Sequence, residues 1–403
     1  MRRMTNMLWI SLCATSLAYA GGTPTLTWLG DMGTGYGEAH AVTNSGVVAG
    51  WTGISNPHHA FRWTATGGFE DLPTLGGSTG AEAWGMSDDG LVPVGISWAG
   101  NNGRAVRWVN GVIEDLGDLG GGRGWAYDAS ADGSVVVGAS IWSGDGRNRA
   151  FRWTAATGMV NLGTLPGGVR SVARAVSADG SVVAGWSGDA SFIHHAWRWT
   201  AQTGMVDIHN PAWAQSEGMG ISADGSVVVG AWGGPSFTPA HPFRWSAATG
   251  MVDLGSLGGP DGWGEAWAAN ADGSMVVGWS EIAPGQWRAF LWTEADGMQD
   301  LNVLYANLLT DGSILWDAMA ISPDGRYIAG HGKKNGTDHM VYLLDTGAGG
   351  IPGDLDGDGD VDLTDLSILL GEFGCTSGCT ADIDGDGDVD LTDLSILLSN
   401  FGA

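Results

Sequence analysis

A repeat of about 45 residues runs through most of this chain and restricts its fold more than any other feature. Four short segments recur in a constant order: Ala-x-x-Ser-x-Asp-Gly, Val-Val-Val-Gly, Ala-Phe-Arg-Trp-Thr and Gly-Met-Val-Asp-Leu-Gly. A degenerate seventh copy of the third segment is present at residues 339–343. The other six copies place a tryptophan at Trp63, Trp108, Trp153, Trp199, Trp245 and Trp292, and the turn segments contribute Gly46, Gly90, Gly133, Gly180, Gly225, Gly273 and Gly325.

Each segment has the composition of a short β-strand. Valine and aromatic residues occur in short runs, and the runs are separated by Asp-Gly or Thr-Gly pairs that favour tight turns. Four strands in about 45 residues is the size of one blade of a β-propeller. The density of Gly and Val, together with the absence of an i, i+3, i+4 pattern, excludes helical repeats.

The two ends of the repeat array are incomplete in complementary ways. The seventh copy stops after its third strand, whereas the array begins with residues 26–31, Leu-Thr-Trp-Leu-Gly-Asp, which resemble a fourth strand. If this first strand completes the last blade, the ring closes without an exposed sheet edge. The sequence therefore predicts a mainly β fold, a seven-bladed β-propeller. An open β-solenoid is the alternative, but it does not explain the complementary ends.

The repeats resemble the extracellular HAF (His-Ala-Phe) repeat family. The motifs that carry this resemblance are His-His-Ala-Phe-Arg-Trp at 58–63 and His-His-Ala-Trp-Arg-Trp at 194–199, with Ser-Ala-Asp-Gly-Ser-Val-Val-Val-Gly at 222–230. The resemblance covers roughly residues 39–345. It implies a secreted repeat protein and no defined catalytic activity.

The first 20 residues have the pattern of a secretory signal. Arg2 and Arg3 precede an apolar stretch, and Ala-Tyr-Ala at 18–20 is a pattern that signal peptidase cleaves. The apolar run is too short for a membrane anchor. We therefore expect a secreted protein, extracellular or at the cell surface, with no membrane span. The predicted organisation is a signal peptide (1–20), a propeller (21–345), a Gly/Pro linker (346–352) and a calcium-binding domain (353–403).

Two residue types in the third strand have structural interpretations. The repeated tryptophan is expected to pack between blades, since large aromatic side chains dominate burial; a sugar-stacking platform is the alternative. The neighbouring arginines are expected to pair across strands with aspartates of the fourth strand. These are Arg62, Arg107, Arg152, Arg198 and Arg244, with Asp71, Asp115, Asp207 and Asp253.

One repeated position is a candidate binding site. Five of the seven blades carry an acid seven residues before the turn Asp or its equivalent, and the other two carry Trp125 and Val172. We expect this position in the loops around one mouth of the central channel, where a ring of carboxylates would attract cations or a basic ligand. The alternatives are solvated loop acids or partners for the strand arginines. The candidate ring is Glu38, Glu82, Glu217, Glu265 and Asp317.

The propeller sequence contains no catalytic constellation. Most of its histidines occupy the His-Ala-Phe slot, where packing or hydrogen bonding is the expected role. Trp263 and Trp267 beside Asp261 and Glu265 form the best aromatic and acidic cluster for carbohydrate. A formal net charge of -27, with 17 Lys and Arg against 44 Asp and Glu, argues against nucleic-acid binding.

The last 51 residues hold 13 acidic residues and no Lys or Arg. Two near-identical segments, 354–365 and 382–393, place carboxylates at positions 1, 3, 5, 9 and 12 of a calcium loop, a backbone carbonyl at 7 and Gly at 6. Oxygen ligands without His or Cys favour Ca2+, and Val361 and Val389 at position 8 would pair the loops. The sequence predicts two Ca2+ ions, held by loops containing Asp354, Asp356, Asp358, Asp360, Asp362 and Asp365, and Asp382, Asp384, Asp386, Asp388, Asp390 and Asp393.

Each loop is followed by a helical pattern but not preceded by one, and residue 12 is Asp where EF-hands usually have Glu. Both features resemble the type I dockerin family, over almost all of residues 353–403. The resemblance implies an all-α domain of two loop-helix units that docks onto a cohesin-type domain. The implied contact residues are Leu363 and Thr364 with Leu391 and Thr392, in either of two orientations.

Cys375 and Cys379 are the two cysteines that remain after removal of the signal. In an oxidising compartment they predict a small local disulfide. A metal pair is the weaker alternative, because two thiolates without a nearby His make an incomplete zinc site.

The whole sequence predicts a secreted, non-catalytic propeller that a calcium-dependent dockerin attaches to a cohesin-type partner. Two rivals remain open: an enzyme that degrades polysaccharide, such as a glycoside hydrolase, and a lectin-like propeller that binds polysaccharide without turnover.

Overall fold

A computed structural model describes residues 23–55, 57–99, 102–234, 237–347, 353, 355, 361–376, 379–383 and 388–402. The predicted signal peptide lies outside the described residues. Within the described part of the chain, 29 strands form seven antiparallel sheets, one for each predicted blade. The fold is mainly β and is a seven-bladed propeller, as predicted.

The first three blades follow the same pattern of four sequential strands. Blade 1 comprises β2 (Gly37–Val42), β3 (Val48–Thr52), β4 (His59–Thr64) and β5 (Gly68–Asp71). Blade 2 comprises β6 (Gly80–Met86), β7 (Pro93–Ala99), β8 (Asn102–Val109) and β9 (Val112–Asp115). Blade 3 comprises β10 (Gly120–Ala129), β11 (Val135–Trp142), β12 (Asn148–Thr154) and β13 (Gly158–Gly163).

The next three blades repeat this order. Blade 4 comprises β14 (Arg170–Val176), β15 (Val182–Gly188), β16 (His194–Thr200) and β17 (Gly204–Asp207). Blade 5 comprises β18 (Gln215–Ile221), β19 (Val227–Gly233), β20 (Ala240–Ser246) and β21 (Gly250–Asp253). Blade 6 comprises β22 (Gly264–Ala269), β23 (Met275–Ala283), β24 (Gln286–Thr293) and β25 (Gly297–Asp300).

Blade 7 follows a short helix, α1 (Leu301–Leu304), and joins the two ends of the array. Its own strands are β26 (Ile314–Leu315), β27 (Ala320–Ile321), β28 (Tyr327–Lys334) and β29 (Thr337–Asp345). The first strand of the chain, β1 (Thr25–Gly30), pairs antiparallel with β29, with Thr25 opposite Asp345 and Trp28 opposite Tyr342. The N-terminal strand therefore completes the last blade, as the sequence predicted.

The first strand of each blade lines the centre of the ring. These strands contact one another around the ring, from β2 and β6 to β22, and in blade 7 the strand at this position is β27, which contacts both β22 and β2. Hydrophobic clusters fill the spaces between adjacent sheets. In one of them Trp108 of blade 2, fully buried, packs with Val47 and Ala49 of blade 1. Trp153 of blade 3 packs in the same way with Val94 of blade 2. Packing between blades is thus confirmed for the repeated tryptophan.

The repeated arginines have different partners from those we predicted. Each donates a hydrogen bond to the carbonyl of the turn glycine in the following blade, and so joins two blades. The bonds are Arg62 to Gly90 (2.6 Å), Arg107 to Gly133 (3.3 Å), Arg152 to Gly180 (3.1 Å), Arg198 to Gly225 (3.1 Å) and Arg244 to Gly273 (2.8 Å).

The fourth-strand aspartates instead face the first residue of the His-Ala-Phe segment in their own blade. Asp71 lies 3.2 Å from His59, and Asp207 lies 2.8 Å from His195. Asp115 pairs with Arg104 at 3.0 Å. The predicted pairing of these aspartates with the repeated arginines was wrong. The physical reason is the strand pleat, because successive side chains alternate between the two faces of a sheet. The aspartate lies on the same face as the first residue of the His-Ala-Phe segment. The arginine follows that residue by three positions and therefore lies on the other face.

The C-terminal segment contains two helices, α2 (Leu363–Glu372) and α3 (Leu391–Ser399). Val361, Leu369, Ala381, Val389 and Leu397 form a small buried core between the two units. Cys375 and Cys379 form a disulfide with their Cα atoms 5.9 Å apart. No helix in the described part of the chain is long and apolar enough to cross a membrane.

The two units bond to each other through the residues that follow their helices. Val389 donates to Cys375 and accepts from Gly374, and Val361 accepts from Gly402, at 2.8–2.9 Å. The sequence predicts that Val361 and Val389 pair the two loops. Among the described residues, no backbone hydrogen bond joins these two valines. Each loop is bonded to the end of the opposite unit.

Candidate functional site

The candidate acids lie at one end of the innermost strands. Glu38, Glu82, Glu217 and Glu265 are the second or third residues of β2, β6, β18 and β22, and Asp317 lies between β26 and β27. We had expected loops before these strands. The four glutamates are instead part of the strands, at the end where each strand begins, and thus all at the same end of the ring.

A β-bulge follows this repeat position in each of the first six blades. The strand register shifts between the residues one and three positions later, for example between Gly218 and Gly220. The skipped residue is turned toward the channel, as bulges commonly re-aim a side chain. These side chains form a layer beneath the acids: His40, Trp84, Tyr127, Arg174, Met219 and Trp267, with Met319 in blade 7.

The glycine of the Val-Val-Val-Gly segment makes room for this bulge. A Cβ on Gly230 would lie 1.9 Å from the carbonyl oxygen of Glu217, and Gly138 and Gly278 have the same close approach to the backbone of Trp125 and Glu265. No side chain fits there. The repeated glycine therefore sets the distance between the second strand and the acid of the first.

Four of the five acids have a histidine partner. Glu38 accepts from His40 at 3.0 Å and also from Tyr36. The other pairs are Glu82 with His58 (2.6 Å), Glu217 with His194 (2.5 Å) and Asp317 with His331 (2.8 Å). The strand arginines are not their partners. His58 and His194 belong to the blade before that of their acid, so these two pairs also connect blades.

Glu265 differs from the other four acids. Its hydrogen bond comes from the indole nitrogen of Trp279, at 3.2 Å. Burial raises the pKa of Glu265, and the charge of Glu217 adds to this rise, although the Trp279 bond and the charge of Arg174 offset part of it.

Glu38 shows the opposite behaviour at the same repeat position. Burial would also raise the pKa of Glu38, but the hydrogen bond and charge of His40 and the hydrogen bond from Tyr36 lower it to about 2. The ring thus holds Glu38, whose ionised form is strongly stabilised, and Glu265, whose negative charge is poorly compensated.

A cleft opens beside Glu265 at this end of the ring, between blades 6 and 7. Its volume is about 810 Å3. The lining is aromatic and acidic and includes Trp263, Trp279, Trp287, Trp316, Asp261, Glu265, Glu281, Asp317, His331 and His339. Of the predicted carbohydrate cluster, Trp263, Asp261 and Glu265 line the cleft, whereas Trp267 lies in the channel layer.

Sequence reasoning missed Trp279, Trp287 and Trp316. Trp279 directly follows the segment of blade 6 that corresponds to Val-Val-Val-Gly, and it stands opposite Glu265 in the strand register. That register was readable from the repeat alignment and is the signal that could have found it. Trp287 and Trp316 lie outside the repeated motifs, and no sequence signal connects them with Glu265.

The opposite part of the channel contains a carboxylate without a basic hydrogen-bond partner among the described residues. Asp128 accepts hydrogen bonds from the backbone of Ala129 (2.8 Å) and of Val176 in the next blade (2.9 Å). Burial raises the pKa of Asp128 to about 7. This side chain joins blades 3 and 4 but is costly to ionise.

In the C-terminal segment the twelfth residue of each predicted loop is turned back into its loop. Asp365 and Asp393 are fully buried. Asp365 accepts from the backbone of Leu355 (2.6 Å) and of Asp362 (2.8 Å), and Asp393 accepts likewise from Ile383 (2.6 Å) and Asp390 (2.7 Å). Positions 2, 9 and 12 of each loop are thus held together.

Six of the twelve predicted calcium ligands lie outside the described residues: Asp354, Asp356, Asp358, Asp360, Asp384 and Asp386. Among the residues that are described, no three His, Cys, Asp or Glu side chains converge as a metal site. The predicted contact residues are exposed at the start of each helix, with Leu363 and Leu391 both 72% exposed and Thr364 and Thr392 beside them.

No family profile and no curated protein matches the chain. Among solved structures, the oligogalacturonate lyase of Vibrio parahaemolyticus matches with a TM-score of 0.51 at 12% identity, over 81% of this chain and 98% of that chain. TolB from Acinetobacter baumannii matches with a TM-score of 0.43 at 12% identity, over 74% and 79% of the two chains. At such low identity the first likeness concerns the fold alone. The strand topology places the chain in the class of β-propellers.

Proposed function

We propose that this protein is a secreted, non-catalytic HAF-type propeller that a C-terminal, calcium-dependent dockerin attaches to a cohesin-type partner. The observation that carries the proposal is the pair of matching loop-helix units. In each unit a buried aspartate folds back on its loop, and an exposed leucine and threonine begin the helix. Such a duplicated unit can present the same surface twice.

The side chains present are compatible with Ca2+. Each loop contributes oxygen ligands only, and Asp365 and Asp393 are carboxylates removed from bulk water. Asp362 and Asp390 cap the helices that follow. Bound Ca2+ would supply the positive charge that six aspartates in one twelve-residue loop require.

Calcium binding is expected to be coupled to the folding of this segment. Without the ion, repulsion among the aspartates of each loop opposes the compact state. We expect isolated residues 353–403 to be largely unfolded with a chelator and helical with Ca2+, as measured by far-ultraviolet circular dichroism. Asp365→Asn with Asp393→Asn should abolish the helical signal in Ca2+, whereas the exposed Ser367→Ala should not. Equal helicity with chelator and with Ca2+ would reject the coupling.

Attachment is expected to depend on the exposed pair at the start of each helix. A single Leu363→Asp or Leu391→Asp should retain capture of the partner, because the other unit can dock in the second orientation. The double variant should lose capture by at least about tenfold, since a charge then replaces a buried apolar contact in both orientations. The measurement is calcium-dependent pull-down from extracellular proteins of the source organism, with the captured domain identified by mass spectrometry.

Two controls make this experiment decisive. The double variant should still bind Ca2+ in a calorimetric titration, so that loss of capture is not loss of folding. Capture by the double variant at the level of the native chain, or capture that survives a chelator, contradicts the proposed mode of attachment.

A further inference from the structure

The cleft between blades 6 and 7 has walls made of tryptophan rings. Trp279 and Trp287 stand at 82° to each other with ring centroids 6.4 Å apart. Trp316 stands at 88° to the ring of His331. Trp287 is 48% exposed and forms part of the rim. Rings set at right angles around one space offer several π faces to a single group, an arrangement that suits a cation.

The charge of the lining is negative. Asp261, Glu265, Glu281 and Asp317 face the cleft, and none of the described residues that line it is Lys or Arg. The carboxylate of Asp317 is paired with His331 at 2.8 Å. Glu265, which is mostly buried, has the neutral indole of Trp279 as its hydrogen-bond donor. An anionic ligand is therefore disfavoured, and a positive group beside Glu265 is favoured.

Comparison with the other blades shows that Glu265 is an exception at its repeat position. At the same position the other four acids are matched with histidines of the propeller. Only in blade 6, among the five described acids, does the acid face an open cavity with an indole in place of the histidine. The other four acids each contact a histidine of the propeller. Glu265 contacts an indole instead, and the cleft beside it has room for a positive group of a ligand.

We propose that this cleft binds an alkylated ammonium group, with Trp279, Trp287 and Trp316 around the cation and Glu265 as its counter-charge. The source can be a free quaternary ammonium compound or a methylated lysine side chain of a protein, because both present the same group. This site is independent of the predicted calcium loops, and it gives the propeller a ligand of its own.

A neutral sugar fits the cleft less well. It would stack on an indole and its hydroxyls could donate to Glu265, but a hydroxyl group offsets the charge of a mostly buried carboxylate less than a cation does. The indole N–H of Trp279 is already donated to Glu265 and is not available to a sugar hydroxyl. An ammonium group can pair with the charge of Glu265 and contact the faces of the tryptophan rings at the same time.

The test compares choline with its neutral carbon isostere, in which a tert-butyl group replaces the trimethylammonium group. Calorimetric titration of the full chain should show choline binding at least about tenfold more tightly than the isostere, since the cation–π and charge terms act on choline alone. A trimethyllysine peptide and its unmethylated form distinguish the two sources. Tighter binding of the trimethyllysine peptide than of choline identifies a protein side chain, and the reverse order identifies a free compound; both support the cation site.

Variants of the cleft have controls elsewhere in the ring. Glu265→Gln and Trp287→Ala should each weaken choline binding about tenfold, and Trp287→Ala is expected to retain the fold because about half of this side chain is exposed. Glu82→Gln, at the same repeat position but paired with His58, and Trp142→Ala, an exposed tryptophan of blade 3, should change the affinity less than about twofold.

Three results would overturn the proposal. They are no binding of any ammonium probe, equal affinity for choline and its neutral isostere, or unchanged affinity in both Glu265→Gln and Trp287→Ala. Binding of a neutral oligosaccharide that is lost in Trp287→Ala while choline does not bind would establish a sugar site in its place.

Discussion

Deletion of residues 23–30 is expected to lower the melting temperature of the propeller by about 5–10 °C, corresponding to a loss of about 3–5 kcal/mol. The deleted strand contributes Leu26 and Trp28 to the cluster around Tyr342 and Leu344. The rings of Trp28 and Tyr342 lie in edge contact at 6.0 Å. Without this strand the outer edge of β29 is exposed, so the deleted protein should also aggregate on heating. Differential scanning calorimetry measures both effects.

Rescue in trans separates closure of the ring from a general loss of stability. A peptide of residues 23–30 should raise the melting temperature of the deleted protein, because it can add to the free edge of β29 as a strand. The single substitution Trp28→Ala should cost about 2 kcal/mol, and Trp142→Ala, on an exposed position of blade 3, less than about 1 kcal/mol. An unchanged melting temperature after the deletion would show that the strand does not hold the ring closed.

Replacement of Asp128 by asparagine is expected to change how stability depends on pH. Burial raises the pKa of Asp128 to about 7 in the folded protein, whereas an aspartate in the unfolded chain titrates at about 4. Between these pH values the folded state retains a proton that the unfolded state releases. The free energy of unfolding of the native protein therefore falls as the pH rises. The amide side chain of the Asp128→Asn variant has no such proton.

The expected change in stability follows from the difference between the pKa of Asp128 in the folded and in the unfolded state. From about pH 5 to pH 8 the free energy of unfolding of the native protein should fall by about 2 kcal/mol relative to that of Asp128→Asn, as measured in urea. This is less than the full shift implies, because Asp128 also borders the channel cavity and water there reduces the cost of ionisation.

Asp132→Asn is the matched control for this experiment. A hydrogen bond from the backbone of Ser134 lowers the pKa of Asp132, which is thus ionised in both the folded and the unfolded state throughout this range. Its pH profile should therefore run parallel to that of the native protein. Parallel pH profiles for the native protein and Asp128→Asn would contradict the prediction.

The blade count and the closing strand were predictable because each depends on local chemistry. Turn glycines and short strand segments repeat at a constant interval, and hydrogen bonding between neighbouring strands follows from that order alone. The packing of Trp108 and Trp153 between blades was predictable for the same reason, since a large aromatic residue at the same position of six blades is expected to face the same environment in each.

The partners of charged residues were less predictable. Arg198 reaches the turn of the next blade, and His194 reaches Glu217 of the next blade; both contacts cross a boundary between repeats. The repeat pattern orders residues within a blade, but the contacts depend on how far each blade is rotated against its neighbour. The aspartates were therefore the wrong partners for the arginines, although Arg107 and Arg62 also form cross-strand ion pairs with fourth-strand glutamates, Glu114 at 2.8 Å and Glu70 at 3.5 Å.

Repeated local patterns in the amino-acid sequence were sufficient to establish seven blades, the strand that closes them, and a C-terminal pair of acidic loop-helix units. Which acid of the ring lacks a histidine depended on the folded protein. Folding also brought Trp279, Trp287 and Trp316 to Glu265 from separate parts of the chain. The physical reason is that the bulge and the contact between blades 6 and 7 set those positions, and neither is a property of a single repeat.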